Sequence, residues 1–222
     1  FRSSIYLLGF VIGPQVSKVD MRRLSDISHW GPCKSAKQVK QLAGVISYLR
    51  PHIPMLAKIM APIDALRNDP NAGSKWTNEH TKRLEIIKKI LLSEALLTAP
   101  NMNKKIYLEC DASLYAVAVI LTQRDDLGRT VYIAMLSKSL TKSQQNWPVL
   151  RRELYAILFG LVRLRPLIYG HPEIEVMTDH RALIYLYTCK CPTRVIQNYM
   201  EILNEYPQLQ FTHIKGLDNI LP

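Results

Sequence analysis

A carboxylate inside an apolar helical stripe constrains this chain more than any other feature. Over residues 145–164, Leu150, Leu154, Ile157, Leu158, Leu161 and Leu164 recur at helical spacing, and Glu153 falls within that stripe. A carboxylate on the core side of a helix is strongly disfavoured unless a partner or a metal neutralises it. Arg151 and Arg152, two residues and one residue before Glu153, point to other faces of the helix.

Two strand-like segments bring one more acid each. Ile106-Tyr-Leu-Glu-Cys-Asp111 is a β-rich run ending on an aspartate, and residues 173–178 alternate as a strand with Asp179 at the carboxyl end. Strand carboxyl ends are where open α/β sheets place their sites. Asp179 also precedes an expected short helix over residues 181–188, so N-capping is an alternative role for it. Asp111, Glu153 and Asp179 form the candidate acidic cluster.

The surrounding pattern sets the fold class. Residues 106–111, 115–123 and 130–137 read as three strands, the last two joined by the Asp125-Asp126-Leu-Gly128 turn into an antiparallel meander. The long helix over 145–164 follows, with Pro148 in its first turn. Then come the strand before Asp179, the helix over 181–188, a helix from Cys191-Pro192 to about residue 206, and a strand over 208–214. Upstream, residues 5–12 read as a buried strand or hairpin arm whose partner lies before Phe1. Ser35 is a candidate N-cap for a helix with Val39, Leu42, Val45, Ile46 and Leu49 as its stripe, stopping at Arg50-Pro51. Further helices are expected over 55–67 and from Trp76 to about residue 97, with a boundary in 98–103. The class is α/β (α+β overall): a small helical domain, then a mixed five-stranded sheet flanked by helices.

Charge points to a polyanion. Formal net charge is +11, and residues 1–100 carry 15 basic and 7 acidic side chains against 14 and 11 in residues 101–222. The basic first part is the better holder of nucleic acid. Lys34, Lys37 and Lys40, off the apolar stripe, and Arg50 at its end are the candidate contacts, with a plain solvated face as the alternative. Cys33, Cys110, Cys189 and Cys191 show no metal or disulfide spacing, so a reducing compartment is the default. No apolar run reaches the roughly 18 residues of a membrane span. An opening without Met and an ending at Pro222 suggest a piece of a longer polypeptide.

The order of elements, with acids at these three points, resembles the ribonuclease H domain. The wording is closer still to the Pol polyprotein of Gypsy-type LTR retrotransposons, in which a reverse transcriptase thumb runs into ribonuclease H. Leu7-Leu-Gly-Phe-Val-Ile12 looks like the primer-grip hairpin, and Gln41-Leu-Ala-Gly-Val-Ile-Ser-Tyr-Leu-Arg-Pro-His-Ile53 is similar to the thumb. Asp111-Ala-Ser, Leu136-Ser-Lys-Ser-Leu140, Asn146-Trp147, Arg152-Glu-Leu-Tyr-Ala156, Tyr169-Gly170 and Thr178-Asp-His-Arg-Ala-Leu183 follow in the family's order. On this resemblance, residues 1–19 end a polymerase palm, 20–99 form a thumb- or connection-like domain, and 100–222 form a ribonuclease H-like domain cut short at its C-terminus. Departures are Ala116 and Ala118 where the family has glycines, and Gln144 where it has Glu. His213, Gly216 and Asn219 resemble a closing motif whose fourth carboxylate would follow Pro222.

The resemblance implies that Asp111, Glu153 and Asp179 hold two Mg²⁺ ions about 4 Å apart around a scissile phosphate, with Mn²⁺ as a substitute. Hard oxygen donors suit these ions better than zinc. It implies cleavage of the RNA strand of an RNA–DNA hybrid, with an RNA-directed DNA polymerase as the parent. Expected partners are the hybrid or template–primer duplex and the rest of the Pol polyprotein, without a membrane. The expected location is intracellular, cytoplasmic or nuclear, including the element's virus-like particle. The rival expectation is a degenerate or domesticated remnant that binds nucleic acid or protein without cutting.

Overall fold

The computed structural model describes residues 4–7, 10–14, 16–20, 27, 29–92, 97–181 and 194–214. The expected helix over 181–188 past its first residue, Cys189, Cys191, Gly216 and Asn219 lie outside the described residues.

Among the described residues nine strands form one mixed sheet: β1 (Ile5–Leu7), β2 (Phe10–Ile12), β3 (Val16–Val19), β4 (Leu97–Thr98), β5 (Ile106–Ala112), β6 (Ala116–Arg124), β7 (Thr130–Ser139), β8 (Ile174–Thr178) and β9 (Leu209–His213). Their spatial order is β1-β2-β3-β4-β7-β6-β5-β8-β9. The five long strands are those the pattern predicts, and β5, β6 and β7 make the antiparallel meander. β8 then pairs parallel to β5, and β9 parallel to β8.

Two expectations need correction. Residues 5–12 are not one buried strand awaiting an upstream partner: β1 and β2 pair with each other, and Ile5, Tyr6 and Leu7 are exposed. Nor is 145–164 one helix. A one-turn helix at Lys142–Gln145 opens on a Thr141/Gln144 capping box and ends at Asn146, and α4 (Val149–Arg163) starts afresh with Pro148 as its N-cap residue. Proline pushes the residue before it out of helical geometry, so the break falls at Trp147.

Alternation along β6 decides which layers cover the sheet. Val117, Val119 and Leu121 join the core under α4, whereas Ala118 and Ile120 face the other way, onto Met55 and Met135. Both faces of β6 are therefore dry. The second face is covered from the helical part of the chain, in which α1 (Ala36–Tyr48), α2 (Leu56–Ala65) and α3 (Asn78–Leu92) share a core built on Val39, Ile46, Leu56, Ile63, Leu84 and Ile87. Ser35 caps α1 by accepting from the Gln38 amide at 3.3 Å. Val45, expected in the buried stripe, is 44% exposed, and Ala43 is buried instead.

Ser137 of β7 joins the helical part to the sheet. Its Oγ accepts from the Ala57 amide at 3.0 Å in the first turn of α2, and its carbonyl accepts from Arg50 Nη1 at 2.8 Å. Met55, just before α2, adopts φ 51° and places its side chain on Ala118. Such a backbone geometry in a non-glycine residue costs on the order of 1–3 kcal/mol and persists only where its surroundings hold it.

Gly160 lets α4 lie against β6. A Cβ at this position would stand 2.9 Å from Val119 Cγ1, and valine, branched at Cβ, has little freedom to yield. Replacing glycine by alanine inside a helix ordinarily stabilises by about 1 kcal/mol. Here overpacking, of order 1–3 kcal/mol, works against it. Gly160→Ala is expected to lower the thermal midpoint by roughly 2–4 °C, scaled for a chain of this size, as measured by circular dichroism; a raised midpoint would contradict the close approach.

Candidate active site

The parallel pairing of β5 with β8 brings two acids together. The last registered pair is Glu109 with Met177, and Asp111 and Asp179 each lie two residues further on. Asp111 is the penultimate residue of β5 and Asp179 follows directly on β8, near enough for the charge of Asp179 to act on Asp111. Glu153 comes from the second turn of α4 and is 4% exposed. The Ala112 amide donates to its carboxylate, while Glu153 Oε2 is buried with no hydrogen-bond partner.

The three acids sense one another. Burial, then the charges of Asp111 and Asp179, push the Glu153 carboxyl up to about 8. Burial also raises Asp111; the cation of Lys58 opposes that shift and Asp179 adds to it. The same environment pushes the buried Cys110 thiol well above its ordinary value, so a thiolate is disfavoured there. His213 Nε2 approaches the Asp179 carbonyl at 3.1 Å, tying the end of β9 to this corner.

These donors suit a hard divalent cation: three carboxylates, one with an unpartnered buried oxygen, and no thiolate among them. The fit is one of donor chemistry rather than of a finished shell. Among the described residues, no three Asp, Glu, His or Cys side chains close around one point.

Arg151 and Arg152 form no ion pair with Glu153, as their positions on the helix imply. Arg151 stacks over the Trp147 ring at 3.9 Å, and Arg152 contributes only the smallest of the influences on Glu153. Lys34, Lys37 and Lys40 are exposed, the last two on α1, which packs against α2 and not on the strands that carry the acids. Arg50 is half-buried and bound to Ser137. Sequence reasoning missed Lys58. A lysine in the first turn of α2 reads as an ordinary wet residue, and only the docking of α2 on β6 and β7 carries its charge to Asp111.

Residues 101–206 match the family described as the RNase H-like domain found in reverse transcriptase. These residues belong to that family. This RNase H-like domain and the segment before it are also similar to retrotransposon polyproteins. The chain is 31% identical over 193 residues to the retrovirus-related Pol polyprotein from transposon opus of Drosophila melanogaster, covering 82% of this chain and 19% of that protein. It is 30% identical over 184 residues to the transposon Tf2-3 polyprotein of Schizosaccharomyces pombe, covering 82% of this chain and 14% of that protein. The chain thus spans a fifth or less of these relatives' length. In fold it is similar to the foamy viral protease-reverse transcriptase solved in complex with double-stranded DNA, with a TM-score of 0.74, 21% identity, and coverage of 99% of this chain and 39% of that one. The same foamy viral protein in complex with RNA/DNA hybrid gives a TM-score of 0.70 at 22% identity, covering 99% of this chain and 30% of that one.

The buried acid makes stability depend on pH. Below its ordinary value of 4.5, Glu153 is protonated in folded and unfolded chains alike; between 4.5 and about 8 only the folded chain keeps the proton. Stability therefore falls as pH rises through this window, and the effect of this group levels off above it. In EDTA, urea unfolding of Glu153→Gln is expected to show a flatter pH profile than the parent and higher stability at the alkaline end. Equal slopes in the two proteins would contradict a buried, proton-holding Glu153.

Proposed function

We propose that this chain is the ribonuclease H part of a retrotransposon reverse transcriptase and hydrolyses the RNA strand of RNA–DNA hybrids with divalent cations. In this reading residues 1–19 end a polymerase palm, 20–99 form a thumb-like unit and 100–222 form the nuclease. The observation that carries the reading is the meeting of Asp111 and Asp179 at parallel strand ends with Glu153, a buried acid with one unpartnered oxygen.

Asp111, Glu153 and Asp179 would hold Mg²⁺ or Mn²⁺. Such cations, when bound, activate a water for attack on phosphorus and stabilise the departing 3′ oxygen. The chain's own residues prepare the place. Mutual repulsion among the acids and the desolvation of Glu153 favour a cation over three separate charges. The Ala112 amide holds the Glu153 carboxylate while Oε2 stays available. Lys58, brought in by the helical part, moderates the charge at Asp111. Hybrid recognition draws support from the foamy viral protease-reverse transcriptase, whose fold this chain shares and which has been seen with both double-stranded DNA and RNA/DNA hybrid. The exposed lysines Lys34, Lys37 and Lys40 would meet phosphates without reading sequence.

A non-catalytic remnant is the second reading, favoured by the lack of a finished metal shell among the described residues. Ala118, one of the departures from the family's glycines, argues less strongly for it than the sequence suggests, because it is buried beneath Met55 and serves the packing of the helical part.

The deciding experiment is Mg²⁺-dependent cleavage of a labelled RNA–DNA hybrid by this chain and by a form extended by roughly 20 parental residues, enough for one more helix. Asp111→Asn is expected to lower cleavage by more than about a hundredfold, beyond the range for residues that merely support a metal ligand. Binding of hybrid without cleavage by the extended form, in both Mg²⁺ and Mn²⁺, would establish the remnant instead.

A further inference from the structure

The outer side of α4 carries a feature that hydrolysis does not use. Arg151, Tyr155, Phe159 and Arg163 follow one another at intervals of four residues, forming one gently wound stripe down the helix. Glu153 is two residues from Tyr155 and so faces the opposite side. The stripe is tied to its neighbours by cation and ring contacts. Arg151 covers Trp147 at 3.9 Å, and Trp147 meets Tyr155 edge-on at 5.6 Å. Lys138 Nζ lies 5.4 Å from the Tyr155 ring and 5.9 Å from the Phe159 ring, and donates to Tyr155 Oη at 2.7 Å.

Beyond Tyr155 the stripe forms one wall of a groove of about 740 Å³, with Lys138 of β7, Arg50, and Tyr199 of α5 (Arg194–Asn204) on its other sides. Among the described residues no acidic side chain lines it. Its Ser137 rim stands in register with Ala118 and, one strand further, with Asp111. The groove thus opens about 10 Å across the sheet from the acids, at two strand spacings.

A groove with half-buried aromatic rings, cations and no acids selects its ligand. An acidic peptide would satisfy the cations and leave the rings unused, and a duplex hides its bases from them. One unpaired strand of nucleic acid uses both, stacking bases on rings and setting phosphates on Lys and Arg. We propose that this groove binds a single nucleic-acid strand, apart from the acidic cluster. From Tyr155 to Arg163, the part of α4 that lines the groove, the helix rises about 12 Å, at about 1.5 Å per residue, which matches roughly three to four nucleotides at about 3.4 Å each. The site is independent of hydrolysis and needs no metal.

The test is fluorescence anisotropy of a labelled oligothymidylate with the full chain in EDTA. Lys138→Glu combined with Arg163→Glu is expected to weaken binding by more than about tenfold at low salt and to flatten its salt dependence. Phe159→Leu, which keeps apolar volume and removes the ring, is expected to weaken binding about fivefold while leaving the salt slope unchanged. Lys82→Glu with Lys89→Glu, exposed positions on α3, serves as the control for net charge and should move affinity little. Thermal midpoints establish that each variant is folded. An equal loss in the control, or no loss in the groove variants, would overturn the proposal. So would groove variants that dissociate a dimer in sedimentation without changing oligonucleotide affinity, since the surface would then belong to a second copy of the chain. Asp111→Asn should retain oligonucleotide binding, so failure of the nuclease reading and failure of this one are told apart.

Discussion

The parallel ladder between β5 and β8 is the constraint on which the rest depends. It directs Asp111 and Asp179, each two residues past the last registered pair, to one corner of the sheet, where their charges act on each other and on Glu153. Glu153 completes the group only because α4 lies close on β6, where Gly160 leaves room for Val119. The helix brings a carboxylate into a buried position that it would avoid on grounds of burial alone, and the rise of its pKa to about 8 measures that conflict. Residues held against their own stability in one corner of an otherwise well-packed fold mark where function overrides packing.

The helical part is more than a neighbour of the sheet that carries the acids. Ser137 receives one bond from Ala57 and another from Arg50, and Met55 takes a left-handed backbone geometry to cover Ala118. These contacts fix α2 across β6 and β7, and with it the charge of Lys58 near Asp111.

Much of this could be read beforehand, for reasons that differ by residue. Glu153 stood out because a 3.6-residue apolar period makes a carboxylate within it conspicuous. The meander was legible because its turn chemistry and alternation are local. Asp179 reads as either cap or ligand because its place near Asp111 depends on the pairing of β8 with β5, far away in sequence. Apolar periodicity over residues 5–12 leaves a strand or a hairpin arm open, and only the resemblance points to the hairpin that β1 and β2 form. The helix break at Trp147 carries no local signal, because Pro148 suits the first turn of a helix as well as the position before it; it sits just before the helix, with φ −54° and ψ 151°. Lys58 and the packing role of Ala118 carry no local signal, since both depend on where α2 docks.

The central claim is that Asp111, Glu153 and Asp179 together hold a divalent cation. Titration of the full chain with Mn²⁺, followed by water-proton relaxation, tests it most directly, because it reports bound metal without requiring substrate or turnover. A saturable site that is lost in both Asp111→Asn and Asp179→Asn, while each variant remains folded, is the predicted result. Mn²⁺ binding that is the same in the parent and in both variants would contradict the account and leave the acidic corner without its ligand.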